Sequence, residues 1–267
     1  MSKMNAIKTF RDLLAFLTII PLGKTEDFIV TSAEYIFLFP LVGGFIGLLA
    51  AGYFLVCGFV VSNILWVANF LVQIPVEFVV KLAPAVMTMA FLLVLTGLQH
   101  FDGLVDLGNA IGLNKLEERR AIVHAWTVTH KGAVLAIFVE FVAFLGLFFL
   151  NGEFAFKAII VAEVAAKLAM VTVAWVGKPT HKGLGSWFLM KAKRKRNIVA
   201  YVVSLLIVFP LLGLMGLVVV FIGFLVGVLM EIVAETVLGG VSGDAIGATN
   251  ECARAVALVF LAGVFLL

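Results

Sequence analysis

The stretch Ile198–Met230, IVAYVVSLLIVFPLLGLMGLVVVFIGFLVGVLM, carries no charged side chain from end to end. A bilayer crossing takes about 20 consecutive apolar residues as a helix, or about ten residues of alternating polarity as a barrel strand. Nothing here alternates, so the stretch reads as membrane helix, in two runs on either side of Gly213: Ile198–Leu212 and Leu214–Val237. Further apolar runs lie at Ile36–Val61, Leu82–Leu98, Ala133–Leu150 and Phe154–Val176. The whole chain agrees, for 63% of its 267 residues are hydrophobic, only 13% are charged, and its mean hydropathy is +1.19. A soluble domain of this size needs far more polar surface. The expected fold is all-α, a polytopic integral membrane helical bundle of about six to seven transmembrane helices. It forms a single membrane-embedded domain over residues 1–267.

The segments at the margins are less regular. Phe10–Leu22 is short and runs into Pro21, which predicts an interfacial or re-entrant helix instead of a span. Lys3, Lys8 and Arg11 precede it as in a signal peptide, but no small-residue cleavage site follows, so the segment is expected to be retained. Asn63–Lys81 reads equally as an outside loop or as a helix in the interface. Ala255–Leu267 can cross only by taking Glu251–Arg254 with it, since its own apolar length is about 20 Å against a core of about 30 Å. Cys57 and Cys252 have no metal-ligand or disulfide spacing and read as packing residues.

Polar residues gather at Lys24–Glu34, His100–Lys131, Gly177–Asn197 and Gly239–Arg254, with two apolar runs between each consecutive pair. All four therefore face the same side. Of the 19 Lys and Arg, all but Lys81, Lys157 and Lys167 fall in these stretches or the N-terminus. The positive-inside rule makes that face cytoplasmic in a cell membrane. The net charge of +3 is thus an orientation signal, and nucleic acid is not an expected partner.

Chemistry-bearing residues sit on that face. In His100-Phe101-Asp102-Gly103-Leu104-Val105-Asp106, a helix would place Asp102 and Asp106 on one side, where two like charges call for a hard divalent cation between them. The same spacing also suits acids that end a helix in solvent. In Gly239-Gly240-Val241-Ser242-Gly243-Asp244, the glycines free the backbone for a sharp turn whose N–H groups could cradle phosphate, and a helix follows through Gly247 to Glu251. A glycine-based helix-packing motif is the alternative. Lys178 and Lys182, among Gly177, Gly183 and Gly185, could neutralise a phosphorylated substrate, whereas Lys191–Arg196 suits lipid headgroups. Glu163 and Lys167 are spaced to pair on a helix. Glu231 and Glu235 share a face leading to the glycine-rich stretch, and Glu140 has no evident partner.

Both acid motifs resemble signatures of the cobalamin synthase family. His100–Asp106 is similar to its His-Leu-Asp-Gly-Leu-Ala-Asp, and Gly240–Glu251 to its Gly-x-Thr-Gly-Asp-x-Leu-Gly-Ala-x-x-Glu. Leu14–Pro21, Phe39–Gly43 and Gly183–Gly185 resemble further family segments in the same order. A third family aspartate is replaced by Asn109, and the Asp-Ser-Arg-x-Gly element by Val128–Gly132. The resemblance implies an adenosylcobinamide-GDP ribazoletransferase, with corrinoid and nucleoside substrates in a lipid setting. It implies Mg²⁺ or Mn²⁺ held by Asp102, Asp106 and Asp244, with His100, Asp102, Asp106, Asp244 and Glu251 as catalytic residues. Gly103, Lys178, Lys182, Gly240 and Gly243 are the implied substrate-binding residues. A homo-oligomer is compatible with the sequence. A secondary transporter would hold its polar groups at mid-membrane and show an internal repeat. A phosphotransferase of the CDP-alcohol type would carry Ala-Arg after the glycine pair.

Overall fold

A computed structural model describes residues 6–23, 25–69, 75–123, 125, 127–180 and 184–267. Eleven α-helices are seen among them, in order α1 (Ala6–Leu17), α2 (Phe28–Glu34), α3 (Phe39–Ala68), α4 (Val76–Leu95), α5 (Gln99–Ala110), α6 (Leu116–Val123), α7 (His130–Phe149), α8 (Gly152–Val176), α9 (Leu184–Ala192), α10 (Ile198–Leu238) and α11 (Gly243–Leu266), with single 3-10 turns at Ile36–Leu38 and Lys195–Asn197. No strand forms among the described residues, and the all-α expectation holds. Six of the helices are long and apolar enough to cross a membrane: α3, α4, α7, α8, α10 and α11.

α10 folds back on itself. Gly213 has φ 54° and ψ −129°, outside the helical region, and a Cβ on Gly216 would stand only 2.6 Å from the Val208 carbonyl. Residues eight apart on a straight helix are about 12 Å apart along its axis, so the two limbs must run antiparallel. The contact of Tyr201 with Phe224, at 6.2 Å between rings, lies further down the same hairpin. These limbs are the two runs read from the sequence.

α8 is the central helix, and its alanines let neighbours approach closely. On one side Gly43 and Gly47 of α3 bring that helix against Glu163 and Ile160; on the other, Gly223 and Gly227 of α10 meet Ala165 and Ala169. Each pair is one turn apart, and a Cβ at any of the four would lie within 2.9 Å of α8. Lipid tails give no hydrophobic drive for such packing, so dispersion across these close backbones must supply it.

Two boundaries differ from the sequence reading, and a third follows the one route that reading left open. Asn63–Lys81 divides: residues up to Ala68 extend α3 and those from Val76 begin α4, with 70–74 outside the described residues. α4 stops at Leu95, three residues before the end of the apolar run. And α11 is unbroken from Gly243, so the last span takes Glu251–Arg254 into the bundle, where Arg254 is wholly buried. Arg254 is therefore no loop charge and drops out of the cytoplasmic count. α1 is amphipathic, burying Leu13, Leu14 and Leu17 against its neighbours, and it is too short to span.

Candidate active site

All four polar stretches meet at one end of the bundle. α4 ends in a turn in which Gly97 and Leu98 both have positive φ, and Leu98 N–H donates to Leu93 O at 2.9 Å. Leu98 is the one non-glycine residue at positive φ among those described, a conformation usually costly for a side chain. The turn starts α5 afresh, so His100, Asp102 and Asp106 ride on a separate short helix and not on the end of the span.

α5 crosses α11 at its glycines. A Cβ on Gly103 would run into the Asp244 carbonyl, and one on Gly247 would stand 3.2 Å from the His100 Cα. The crossing sets Asp102, Asp106 and Asp244 within electrostatic reach of each other. Asp106 is pushed up to about 7, first by burial and then by the charges of Asp244 and Asp102, with the Asn109 amide opposing. Asp102 is exposed and Asp244 partly so, and the Ser242 hydroxyl donates to Asp244 Oδ2 at 3.3 Å. No three described His, Cys, Asp or Glu side chains close around a common point. The donor set is nonetheless one of carboxylate oxygens that repel each other and face solvent, which suits a hard cation carrying waters better than a closed zinc site.

The glycine-rich turn does structural work. Gly239 and Gly240 have φ 68° and 142°, and their N–H groups are taken up by Glu235 O and Ala234 O at the end of α10. Gly240 thus closes a helix, in place of offering its N–H to a ligand as the sequence reading had it. A Cβ there would meet the Lys178 carbonyl at 2.8 Å, because Val241 pairs with Pro179 in a short bridge. That bridge brings exposed Lys178 beside the second motif; Lys182 and His181 lie outside the described residues. Gly243 opens α11 towards solvent, where a Cβ would meet nothing. Ser242 caps the helix by accepting from Ala245 N at 3.2 Å.

Glu251 is held elsewhere. It sits two turns along α11 from Asp244, about 10 Å, inside a buried network. Arg254 binds both Glu251 and Glu163, Lys167 binds Glu163 at 3.1 Å and Asn250 at 2.7 Å, and Asn250 binds Glu251 at 2.9 Å. The Glu163–Lys167 pair expected from sequence is real but belongs to this larger set. Glu251 approaches the site through His100, whose Nδ1 is 3.6 Å from Glu251 Oε1. Burial, then Lys167 and Arg254, hold His100 well below the usual imidazole range, so it is neutral at pH 7. Glu140 lies within electrostatic reach of this network, its oxygens without a close hydrogen-bond partner among the described residues, and Glu235 is exposed.

Asn109, where the family motif has an aspartate, is buried and tied: its amide donates to Thr127 O at 2.7 Å and its oxygen accepts from Thr129 N at 2.9 Å. A carboxylate could not donate there, so this position fastens the 127–129 segment. Arg119 and Arg120 of α6 were not singled out in the sequence. They donate to Thr236 O and Leu238 O, closing the end of α10 where carbonyls lack partners and favour cations. Nothing in their Glu-Glu-Arg-Arg context distinguishes them from solvent charges. A cavity of about 330 Å³ was likewise unforeseen; His100, Gln99, Gly243 and Asp244 line one side, and Phe16, Ile29, Phe39 and Phe188 the other.

The sequence matches the family described as cobalamin-5-phosphate synthase over residues 9–262. Curated relatives named adenosylcobinamide-GDP ribazoletransferase include one from Methanocella arvoryzae, 31% identical and covering 95% of each chain. Another, from Pyrococcus abyssi, is 29% identical over 94% of this chain and 96% of its own. A third, from Methanosarcina barkeri, is 26% identical over 97% and 93%. No solved structure matches. With both acid motifs crossed at one end of the bundle and the match running nearly the full chain, the protein belongs to the cobalamin-5-phosphate synthase family.

Proposed function

We propose that this protein is an adenosylcobinamide-GDP ribazoletransferase: a secondary ribose hydroxyl of alpha-ribazole, or of its 5′-phosphate, loses its proton and bonds through its oxygen to the phosphorus attached to adenosylcobinamide, and the bond to GMP breaks. The observation that carries this reading is the contact of Gly103 with Asp244, which unites two acid motifs some 140 residues apart. A divalent cation, Mg²⁺ or Mn²⁺, would be held by Asp102, Asp106 and Asp244 and would supply charge neutralisation at the pyrophosphate when bound. Such transfer needs chiefly positioning and compensated charge.

The chain's own groups suit the remaining tasks. His100 is neutral and borders the cavity, so its imidazole can take the proton of the attacking ribose hydroxyl as the new bond forms. Lys178 stands beside the second motif, where it can counter phosphate. Gly243 presents the start of α11, whose first N–H groups favour an anion. The charge distribution supports a site on the cytoplasmic face of the cell membrane. Purified protein given the corrinoid-GDP substrate and alpha-ribazole should release GMP, and release should need the divalent ion. A preparation that binds both substrates yet frees no GMP would overturn the proposal.

A further inference from the structure

We propose that the cavity beside His100 holds the aromatic base of the nucleoside acceptor, an inference that rests on the ribazoletransferase reading. At about 330 Å³ it is at the lower end of ligand pockets, with room for a nucleoside. Its two sides differ. α5 and α11 bring His100 and Asp244, while α1, α2, α3 and α9 bring Phe16, Ile29, Phe39 and Phe188. Phe16 is the hub of the apolar side, stacked on Phe188 at 5.4 Å and 10° and in contact with Phe39 at 6.0 Å.

An acceptor nucleoside is polarised in the same sense. Its planar base is at one end and its ribose, with the reacting hydroxyl, at the other, so seating the base among the phenylalanines delivers the ribose hydroxyls to His100 and Asp244. The leaving guanosine fits worse. Guanine carries donors and acceptors around its edge, and an apolar wall would leave them unpaired. The six-membered ring of a dimethylbenzimidazole has only methyl and C–H groups at its edge and loses nothing there, while its free imidazole nitrogen lies on the ribose side, towards the polar residues. Three of the wall's elements, α1, α2 and α9, are short helices outside the six candidate spans, so the cavity is closed by segments at the polar end and can be entered from that side.

The test is equilibrium titration calorimetry on the full-length protein in detergent, with alpha-ribazole and GMP as separate probes. Phe188→Ala should weaken alpha-ribazole about tenfold, the scale of a lost base–aromatic stack, and leave GMP within about twofold. Ile29→Trp, which fills the space instead of emptying it, should abolish alpha-ribazole binding; Phe188→Leu serves if the alanine variant does not fold. Weakening of GMP alone, equal weakening of both, or no change in either would each overturn the assignment, as would a wild type with no affinity for alpha-ribazole. A wild type that binds alpha-ribazole as described but releases no GMP leaves the cavity assignment standing and removes the reaction.

Discussion

Gly103→Ala is the sharpest probe of the site, because it changes neither a charge nor a proposed ligand. The added methyl would stand against the Asp244 carbonyl, and reaching ordinary van der Waals contact, about 3.5 Å, requires α5 and α11 to part by about 1 Å. Overpacking of this kind costs about 1–3 kcal/mol, which a bundle joined along six long helices can absorb without unfolding. Catalysis is less forgiving, since a misplacement of about 1 Å can cost about 10²-fold in rate. Gly247→Ala meets the His100 Cα at 3.2 Å and should need only a few tenths of an ångström, with a correspondingly small loss. Gly52→Ala, where a Cβ meets nothing within 4 Å, is the control. The assay is GMP release under saturating substrates, alongside a melting curve of each variant in detergent. Rates ordered Gly52→Ala, Gly247→Ala, Gly103→Ala, from fastest to slowest, are expected. If Gly103→Ala works as fast as the control, the two acid motifs do not act as one site.

Asp102→Asn and Asp244→Asn should each abolish most transfer, with the double variant scarcely worse, because groups sharing one ion act as a unit; multiplicative losses would argue for separate roles. Removing divalent ions with chelator should stop GMP release, and added Mg²⁺ should restore it. The raised Asp106 carboxyl means the folded, ion-free protein holds a proton that the unfolded chain has released. Its melting temperature should therefore fall as pH rises from about 4 through about 7, and Mg²⁺ should flatten that slope; a flat ion-free profile would contradict the crowding of the three aspartates. Glu163→Gln leaves Glu251 as the one full carboxylate partner for two buried cations, Arg254 and Lys167, and should cost about 3–5 kcal/mol of stability, read as a lower melting temperature, while an unchanged melt would mean the network is not closed through Glu163.

The sequence made some of this legible and hid the rest for physical reasons. Apolar run length exposes every span, and Gly213 shows where one run turns, since those signals are local. Asp102, Asp106 and Asp244 stand out because isolated carboxylates beside membrane helices are costly. What cannot be read is pairing across elements. Glu163–Lys167 is visible as a one-turn spacing, but its union with Asn250, Glu251 and Arg254 depends on α8 lying against α11. Arg254 therefore looks like a loop charge until the helix carries it inward. The cavity is hidden for the same reason: Phe16 and Phe188 are two phenylalanines among 25, and only the fold stacks them.

The buried network and the site are linked by geometry. α8 buries alanines along its whole length, and small smooth faces allow close approach without strongly fixing how far one helix slides along the other. Charges buried in such a setting are tolerated only when paired, and a pair has one good geometry. Arg254 reaching Glu163 pins α11 to α8 at a single height. Because α11 is one rigid helix, that same pin sets the height of Asp244 about 15 Å away along the axis, opposite Gly103. Glu251, on the intervening turns, faces His100 and fixes the other side of the crossing. On this reasoning the charges inside the bundle do not touch the substrates; they hold α5 and α11 in the register at which Asp244 comes within electrostatic reach of Asp102 and Asp106 and borders the cavity beside His100.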